Sequence, residues 1–242
     1  MNVEHQRLET TTSTNDVARA RALEGAPHGT VISAETQQAG RGRLGRAWWS
    51  PPSGAALMSV ILRPTKGTDH LAAVALEAGV AVVEALAEQG VEARVKWPND
   101  IWIGGKKAGG ILSELVEDAG GKPAVIVGVG LNVNVAQADF PPELQATATS
   151  LREASGWSFE LEGVILAIRD QLLTRFAAFE AGGLDVATAE KLSATVGARV
   201  RDEGGRTGGA TGIAASGALK VRWDGADGEA EVIAGDVTLE TA

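Results

Sequence analysis

An α+β fold, a mixed β-sheet with flanking helices followed by a small C-terminal β barrel, is predicted by three features of the sequence. Strand-like and helix-like runs are interspersed in irregular order up to about residue 194, which favours a mixed sheet over a doubly wound parallel one. From about residue 197 onward, helical spacing gives way to short Val-rich runs broken by Gly and Asp. A chain of 242 residues, 44% of them hydrophobic, can bury one large core and still carry a small satellite. The boundary is expected near residue 194, giving a main domain over 1–194 and a β domain over 195–242.

The elements follow in order. Residues 13–16 have the polar character of a helix start, the helix continues over 17–24, and Gly25 and Pro27 stop it. Residues 30–37 read as a strand, 40–46 are too irregular for either element, and 56–62 read as a second strand. A long Ala-rich helix is expected over 68–89. Its apolar stretch, 71–87, contains Glu77 and Glu84 seven residues apart on one helical face, so it is amphipathic rather than membrane-spanning. Residues 91–97, 101–103 and 110–116 read as strands, with Gly104-Gly105 supplying a tight hairpin. Residues 124–135 are nearly all apolar, with β-branched residues among them, which suits a central strand. Beyond Pro141-Pro142, Leu161, Ile165, Ile168, Leu172 and Phe176 recur every three or four residues, predicting a helix over 161–180. The runs 198–201, 211–214, 218–223 and 229–233 would form the barrel.

Charge and composition exclude several functions. A net charge of −9 repels polyanions, so broad nucleic-acid binding is not expected. The absence of cysteine removes disulfides, thiolate metal sites and cysteine nucleophiles. His5, His28 and His70 show no metal-ligand spacing. The start is polar and lacks the apolar run of a secretion signal, so a cytoplasmic enzyme is expected.

Against the acidic background, the basic glycine-rich stretch QQAGRGRLGR stands out, residues 37–46. Glycines 40, 42 and 45 permit positive φ and close backbone approach, and Arg41, Arg43 and Arg46 can each fork two hydrogen bonds onto a phosphate. It is neither a GxxxxGK[ST] loop nor a GxGxxG entering a helix, and read alone it is equally a solvated charged loop. In KWPNDIWIGGKKAGGILSEL, residues 96–115, Pro98 would interrupt a strand and present Asn99 and Asp100 at a bulge or edge. Lys106 and Lys107 follow the glycine hairpin; taken alone they are better explained as solvated lysines of a surface hairpin. In GVGLNVN, residues 128–134, Asn132 and Asn134 lie two apart on one strand face, to tie down a loop or read a ligand. Ser13-Thr14-Asn15 by itself is a helix cap.

Taken in order, these segments resemble biotin protein ligases. That family carries an STN near the start of its catalytic domain, a GRGRxGR loop, a KWPND followed by a lysine and Gly-Ile-Leu, and a GxGxN strand; here they are residues 13–15, 40–46, 96–100 with Lys107, and 128–132. The resemblance spans the chain and implies the class II synthetase-like biotin/lipoate ligase fold with an SH3-like C-terminal barrel. It further implies a two-step reaction, in which ATP, with Mg²⁺, activates biotin to biotinyl-5′-AMP, and a lysine of a biotin carboxyl carrier protein domain then accepts the biotin. Lys107, Arg43 and Asp100 would be the catalytic set. Ser13, Thr14, Asn15, Gln37, Arg41, Gly42, Arg43, Lys107 and Gly110 would hold biotin. Arg41, Arg43, Arg46, Trp48, Asn99, Lys107 and Asn132 would hold ATP and the adenylate, with Asn132 at the adenine. Metal ligands are not assignable.

Some members of that family are also repressors with an N-terminal DNA-binding domain. Ser13 comes too early for such a domain to precede it, so the monofunctional kind is expected. A monomer and a homodimer are both compatible with the sequence. The alternatives are a lipoate-type ligase and a non-catalytic nucleotide-binding module, separable by acid-dependent pyrophosphate release.

Overall fold

A computed structural model describes residues 4–51, 53–65, 71–118, 120–233 and 235–240. The main sheet has seven strands: β1 (His5–Thr11), β2 (Val31–Gln37), β3 (Ala55–Leu62), β4 (Arg94–Lys96), β5 (Asp100–Ile103), β6 (Lys106–Glu117) and β7 (Pro123–Asn132). Their order is β1-β2-β3-β7-β6-β5-β4, which puts β7 at the centre, as its unbroken apolar run predicts. β1 and β2 are parallel and the remaining neighbours antiparallel, so the sheet is mixed. β1 was not legible in the sequence. Its HQRLETT run has a single aliphatic residue, Leu8, and it is held at the edge by its ladder to β2.

The helices are α1 (Thr14–Leu23), α2 (Leu71–Glu88), the short α3 (Pro142–Gln145) and α4 (Leu151–Ser155), the long α5 (Leu161–Gly182), and α6 (Val186–Lys191). Residues 68–70 of the predicted second helix, and His70 with them, lie outside the described residues. The strand expected over 91–97 shortens to β4, because the Val91 N–H turns back to Leu86 O and residues 97–99 form the turn into β5. The hairpin at Gly104-Gly105 forms as expected, with both glycines at positive φ.

Strand alternation divides the core. Val125, Val127, Val129 and Leu131 of β7 join Val60 and Leu62 of β3 beneath α2 and α5. Ala124 and Ile126 join Ile32, Ile61 and Val116 beneath Ala18 and Ala22 of α1.

The second sheet consists of β8 (Arg199–Asp202), β9 (Thr207–Ile213), β10 (Leu219–Trp223), β11 (Ala230–Val232) and β12 (Val237–Leu239), all antiparallel in the order β11-β10-β9-β8-β12. β12 was not predicted, since three residues after a glycine give too short a pattern.

Trp97, in the turn between β4 and β5, is buried in the core of this second sheet with Val200, Leu219, Val221 and Trp223. Its indole N–H donates to Gly217 O (2.9 Å), and its backbone N–H donates to Thr195 Oγ1 (2.9 Å). One aromatic therefore bolts the turn bearing Asn99 and Asp100 to the C-terminal sheet. Trp97→Ala is expected to cost roughly 3–5 kcal/mol in denaturant unfolding and to expose the C-terminal segment to proteolysis. A loss under about 1 kcal/mol would show that the two sheets are joined elsewhere.

Candidate functional site

The site opens where the α1 face of β7 runs out of side chains. That face reads Ala124, Ile126, Gly128, Gly130, so two layers of core give way to two bare positions. Both gaps are filled by groups arriving from elsewhere. A Cβ on Gly128 would sit 2.9 Å from Asn15 Cγ, and one on Gly130 would sit 2.7 Å from Trp48 Cε2. The cavity between them has a volume of about 170 Å³. An ordered water needs on the order of 10–15 Å³, so this space suits a small organic molecule.

One end is neutral and rich in hydrogen bonds. Ser13 occupies the N-cap position of α1, yet its hydroxyl makes no capping bond and lines the cavity, so the helix-cap reading of Ser13-Thr14-Asn15 does not account for it. The Thr14 N–H and hydroxyl both donate to Gln37 Oε1, at 2.7 and 3.1 Å. Buried Ser59 lies 2.8 Å from Thr14 Oγ1 and 2.6 Å from Asn15 Oδ1, and Asn15 Nδ2 donates to Glu114 (2.7 Å). Thr14 and Asn15 are themselves only 4% and 3% exposed, so their geometry is fixed by packing.

The other end is cationic. Arg41, Arg43, Arg46, Lys96 and Lys107 line it against two carboxylates, Asp100 and Asp236, a concentration of positive charge on an otherwise acidic protein. The glycine-rich loop folds back on itself: Arg41 bridges to Ala47, Gly42 N–H donates to Arg46 O (2.7 Å), and Trp48 N–H donates to Gly40 O (2.9 Å). The expectation of positive φ at three glycines holds only for Gly45; Leu44 takes the other left-handed position, φ 55°. Gly40 is needed for space instead, because a Cβ there would sit 2.8 Å from Trp48 O. The loop brings in Trp48, whose indole nitrogen is buried without a hydrogen-bond partner among the described residues.

Lys107 is the second residue of β6. Its N–H donates to Thr147 O (2.8 Å) and its C=O accepts from Thr149 N–H (2.9 Å), clamping the backbone from the side opposite β5. Across the hairpin Ile101 faces Gly109 while Trp102 faces Lys107, so Ala108 is an extra, bulged residue that re-aims its neighbours. Lys107 Nζ lies 2.6 Å from Asp100 Oδ1 and 5.8 Å from the Trp48 ring centre. Arg43 reaches Asn99 Oδ1 (3.3 Å) and Asp236 (3.5 Å), Arg46 reaches Asp236 (2.5 Å), and the Asn99 amide donates to Ile111 O (2.6 Å). Burial pulls the Lys96 ammonium below the usual lysine range, and Asp100 and Asp236 partly offset that.

The structure thus brings together Ser13, Thr14, Asn15, Gln37, Arg41, Gly42, Arg43, Arg46, Trp48, Asn99, Asp100, Lys107 and Gly110 around one cavity. Asn132 is not among the lining residues; its amide donates to Thr149 O (3.1 Å), and its buried Oδ1 has no partner among the described residues. Asn132 and Asn134 do not share a strand face as the sequence implied. β7 ends at Asn132, because the Val133 and Asn134 N–H groups both turn to Gly54 O, and Asn134 instead ties down the backbone of Phe159. Ser59, Lys96 and Asp236 were missed. Ser59 was visible as the lone hydroxyl in AALMSVIL, and Lys96 opened a motif already singled out, whereas Asp236 carried no signal because it arrives from the C-terminal sheet.

A neutral hydrogen-bonding end and a cationic end, joined by Trp48 and Leu112, fit a ligand with a neutral polar head, an apolar middle and an anionic tail. Residues 8–134 match the model of the biotin/lipoate A/B protein ligase family. The bifunctional ligase/repressor BirA of Bacillus subtilis is 44% identical over 154 residues, covering 63% of this chain and 47% of that protein. This chain spans about half the length of such curated relatives. The biotin--[acetyl-CoA-carboxylase] ligase of Mycobacterium tuberculosis is 34% identical over 203 residues, covering 80% of this chain and 72% of that protein. A biotin protein ligase from Aquifex aeolicus, solved in complex with biotin and ATP, superposes with a TM-score of 0.84 at 29% identity, over 99% of each chain.

Proposed function

We propose, since the chain belongs to the biotin/lipoate A/B protein ligase family, that it is an ATP-dependent, AMP-forming ligase joining biotin to a lysine of a carrier protein. The observation that carries this reading is the two-ended cavity. Ser13, Thr14, Asn15 and Gln37 offer a cluster of donors and acceptors for a cyclic urea, and Lys107, Arg43 and Arg46 gather where a carboxylate and a triphosphate would meet.

In the first step a biotin carboxylate oxygen attacks the α-phosphorus of ATP, the bond to the β-phosphate oxygen breaks, and pyrophosphate leaves. Lys107 sits at the cationic end to stabilise the negative charge that builds in this transfer. In the second step a neutral lysine amine attacks the acyl carbon of biotinyl-5′-AMP, the bond to the phosphate oxygen breaks, and AMP leaves. Asp100, now 2.6 Å from Lys107, would orient that amine and accept its proton as the adenylate phosphate draws Lys107 away. The folded-back loop carrying Arg41, Arg43 and Trp48 shields the adenylate from water.

Among the described residues no group of three or more His, Cys, Asp or Glu side chains could hold a metal, and both cavity carboxylates are already paired with cations. Mg²⁺ enters the reading as part of the nucleotide substrate, held by its phosphates. The acceptor would be a biotin carboxyl carrier protein domain. No helix among the described residues is long and apolar enough to cross a membrane, and a cytoplasmic enzyme is the working assignment.

The test is pyrophosphate release from ATP by the purified protein, with biotin, with lipoate and with neither. Biotin-dependent release, followed by biotin transfer to a carrier domain, is the expected result. Release with lipoate alone would move the chain to the other branch of its family. ATP binding without release with either acid would leave a binding module.

A further inference from the structure

We propose that Glu114 is a positioning residue that fixes the polarity of the neutral end of the cavity by orienting Asn15, and ties that end to the arginine loop. This rests on the biotin reading of the site. Glu114 is not a lining residue of the cavity; it lies on the α1 face of β6, between Leu112 and Val116. Three donors converge on its carboxylate. Oε2 takes Asn15 Nδ2 at 2.7 Å and Arg41 Nη2 at 3.5 Å, and Oε1 takes Arg19 Nη2 at 3.2 Å. Asn15 and Arg19 are four residues apart on α1, so one helix face delivers both.

The chemistry follows from what each group can do. The two ends of an asparagine amide are nearly the same size but opposite in function, and the partner of one end decides what the other offers. A carboxylate only accepts, so Glu114, at 2.7 Å against 3.4 Å for the Leu112 carbonyl, is the nearer acceptor that holds Nδ2 and leaves Oδ1 beside Ser59 and the bare Gly128. A flipped amide would set two acceptors against each other at the 2.7 Å now spanned by a hydrogen bond. The two guanidinium groups restrain the carboxylate from turning aside. Because Arg41 also pairs with Asp16 of α1 (2.6 Å), the helix start, the strand and the loop share one network. A glutamine at 114 would keep the shape but could turn its NH₂ toward Asn15 or toward an arginine, and the unique orientation would be lost.

Pyrophosphate release measured against biotin concentration tests this on the intact chain. Glu114→Gln is expected to raise the KM for biotin roughly tenfold, about the weight of one hydrogen bond to a charged group. The kcat and the KM for ATP should stay within about twofold, the pattern of lost ground-state binding. In an Asn15→Ala background the same change should add less than about twofold, because the effect travels through Asn15. Glu114→Asp keeps the charge for the arginines and withdraws the oxygen from Asn15; it should reproduce the KM shift even if Glu114→Gln fails to fold. An unchanged KM, full additivity with Asn15→Ala, or an equal fall in kcat would each overturn the inference. Wild-type protein without biotin-dependent release would defeat the function itself, and the inference with it.

Discussion

Lys107→Ala is expected to lower biotin-dependent pyrophosphate release by roughly 10²- to 10³-fold while leaving the fold intact. The large kinetic effect follows from position. Lys107 is held on a bulged strand whose backbone is clamped by residues 147–149, and its ammonium stands at the cationic end beside Trp48. A cation placed in advance spares the reaction the cost of reorganising water around a charge that builds only in transit. The small structural effect follows from exposure. The Lys107 side chain is 40% exposed, and its pairing with Asp100 is the kind that contributes about 0–1 kcal/mol, so the melting temperature should barely move. Lys107→Arg should not restore the rate, because a planar fork cannot replace a point charge in so confined a place. Release within about threefold of wild type would remove Lys107 from the chemistry and leave Lys96, the other cavity lysine, as the group to examine.

Much of this arrangement was legible in the sequence because the signal was local. The glycine-rich loop, the KWPND turn and the lysine after the Gly104-Gly105 hairpin are short segments, and the structure folds each against the same cavity. The core strands β3 and β7 announced themselves through β-branched runs, and α5 through its spacing. What escaped was non-local. β1 forms only because β2 offers it a ladder, and nothing in HQRLETT alone favours a strand. Asp236 enters the site from a sheet that begins at Arg199, brought there by the seating of Trp97, so its neighbours in sequence carried no hint of it. The paired amides of 128–134 misled for the opposite reason. The local pattern was real, but Gly54 captures the Val133 and Asn134 N–H groups and ends the strand between them. Glu114 stood inside a segment singled out for its lysine, and its role depended on which donors α1 would bring to it.

Gly128→Ala should weaken substrate binding sharply, though it adds a single methyl. The new carbon would sit 2.9 Å from Asn15 Cγ and 3.1 Å from its Nδ2, and closer still to Oδ1. An exposed flexible neighbour would swing aside, but Asn15 is 3% exposed and held by Ser59 at one end of its amide and Glu114 at the other. Either the amide leaves its partners or β7 shifts at the centre of the sheet. Overpacking of this kind costs about 1–3 kcal/mol of stability. Biotin affinity, read by calorimetry, should fall at least about tenfold, the equivalent of 1.4 kcal/mol. The double variant Asn15→Ala/Gly128→Ala separates the two consequences. Removing the amide makes room for the methyl, so stability should return toward that of Asn15→Ala alone, whereas affinity should stay low because the ligand's hydrogen-bonding partner is gone. If Gly128→Ala binds biotin as the wild type does, the ligand does not meet the protein at the start of α1, and the neutral end of the cavity has been assigned to the wrong place.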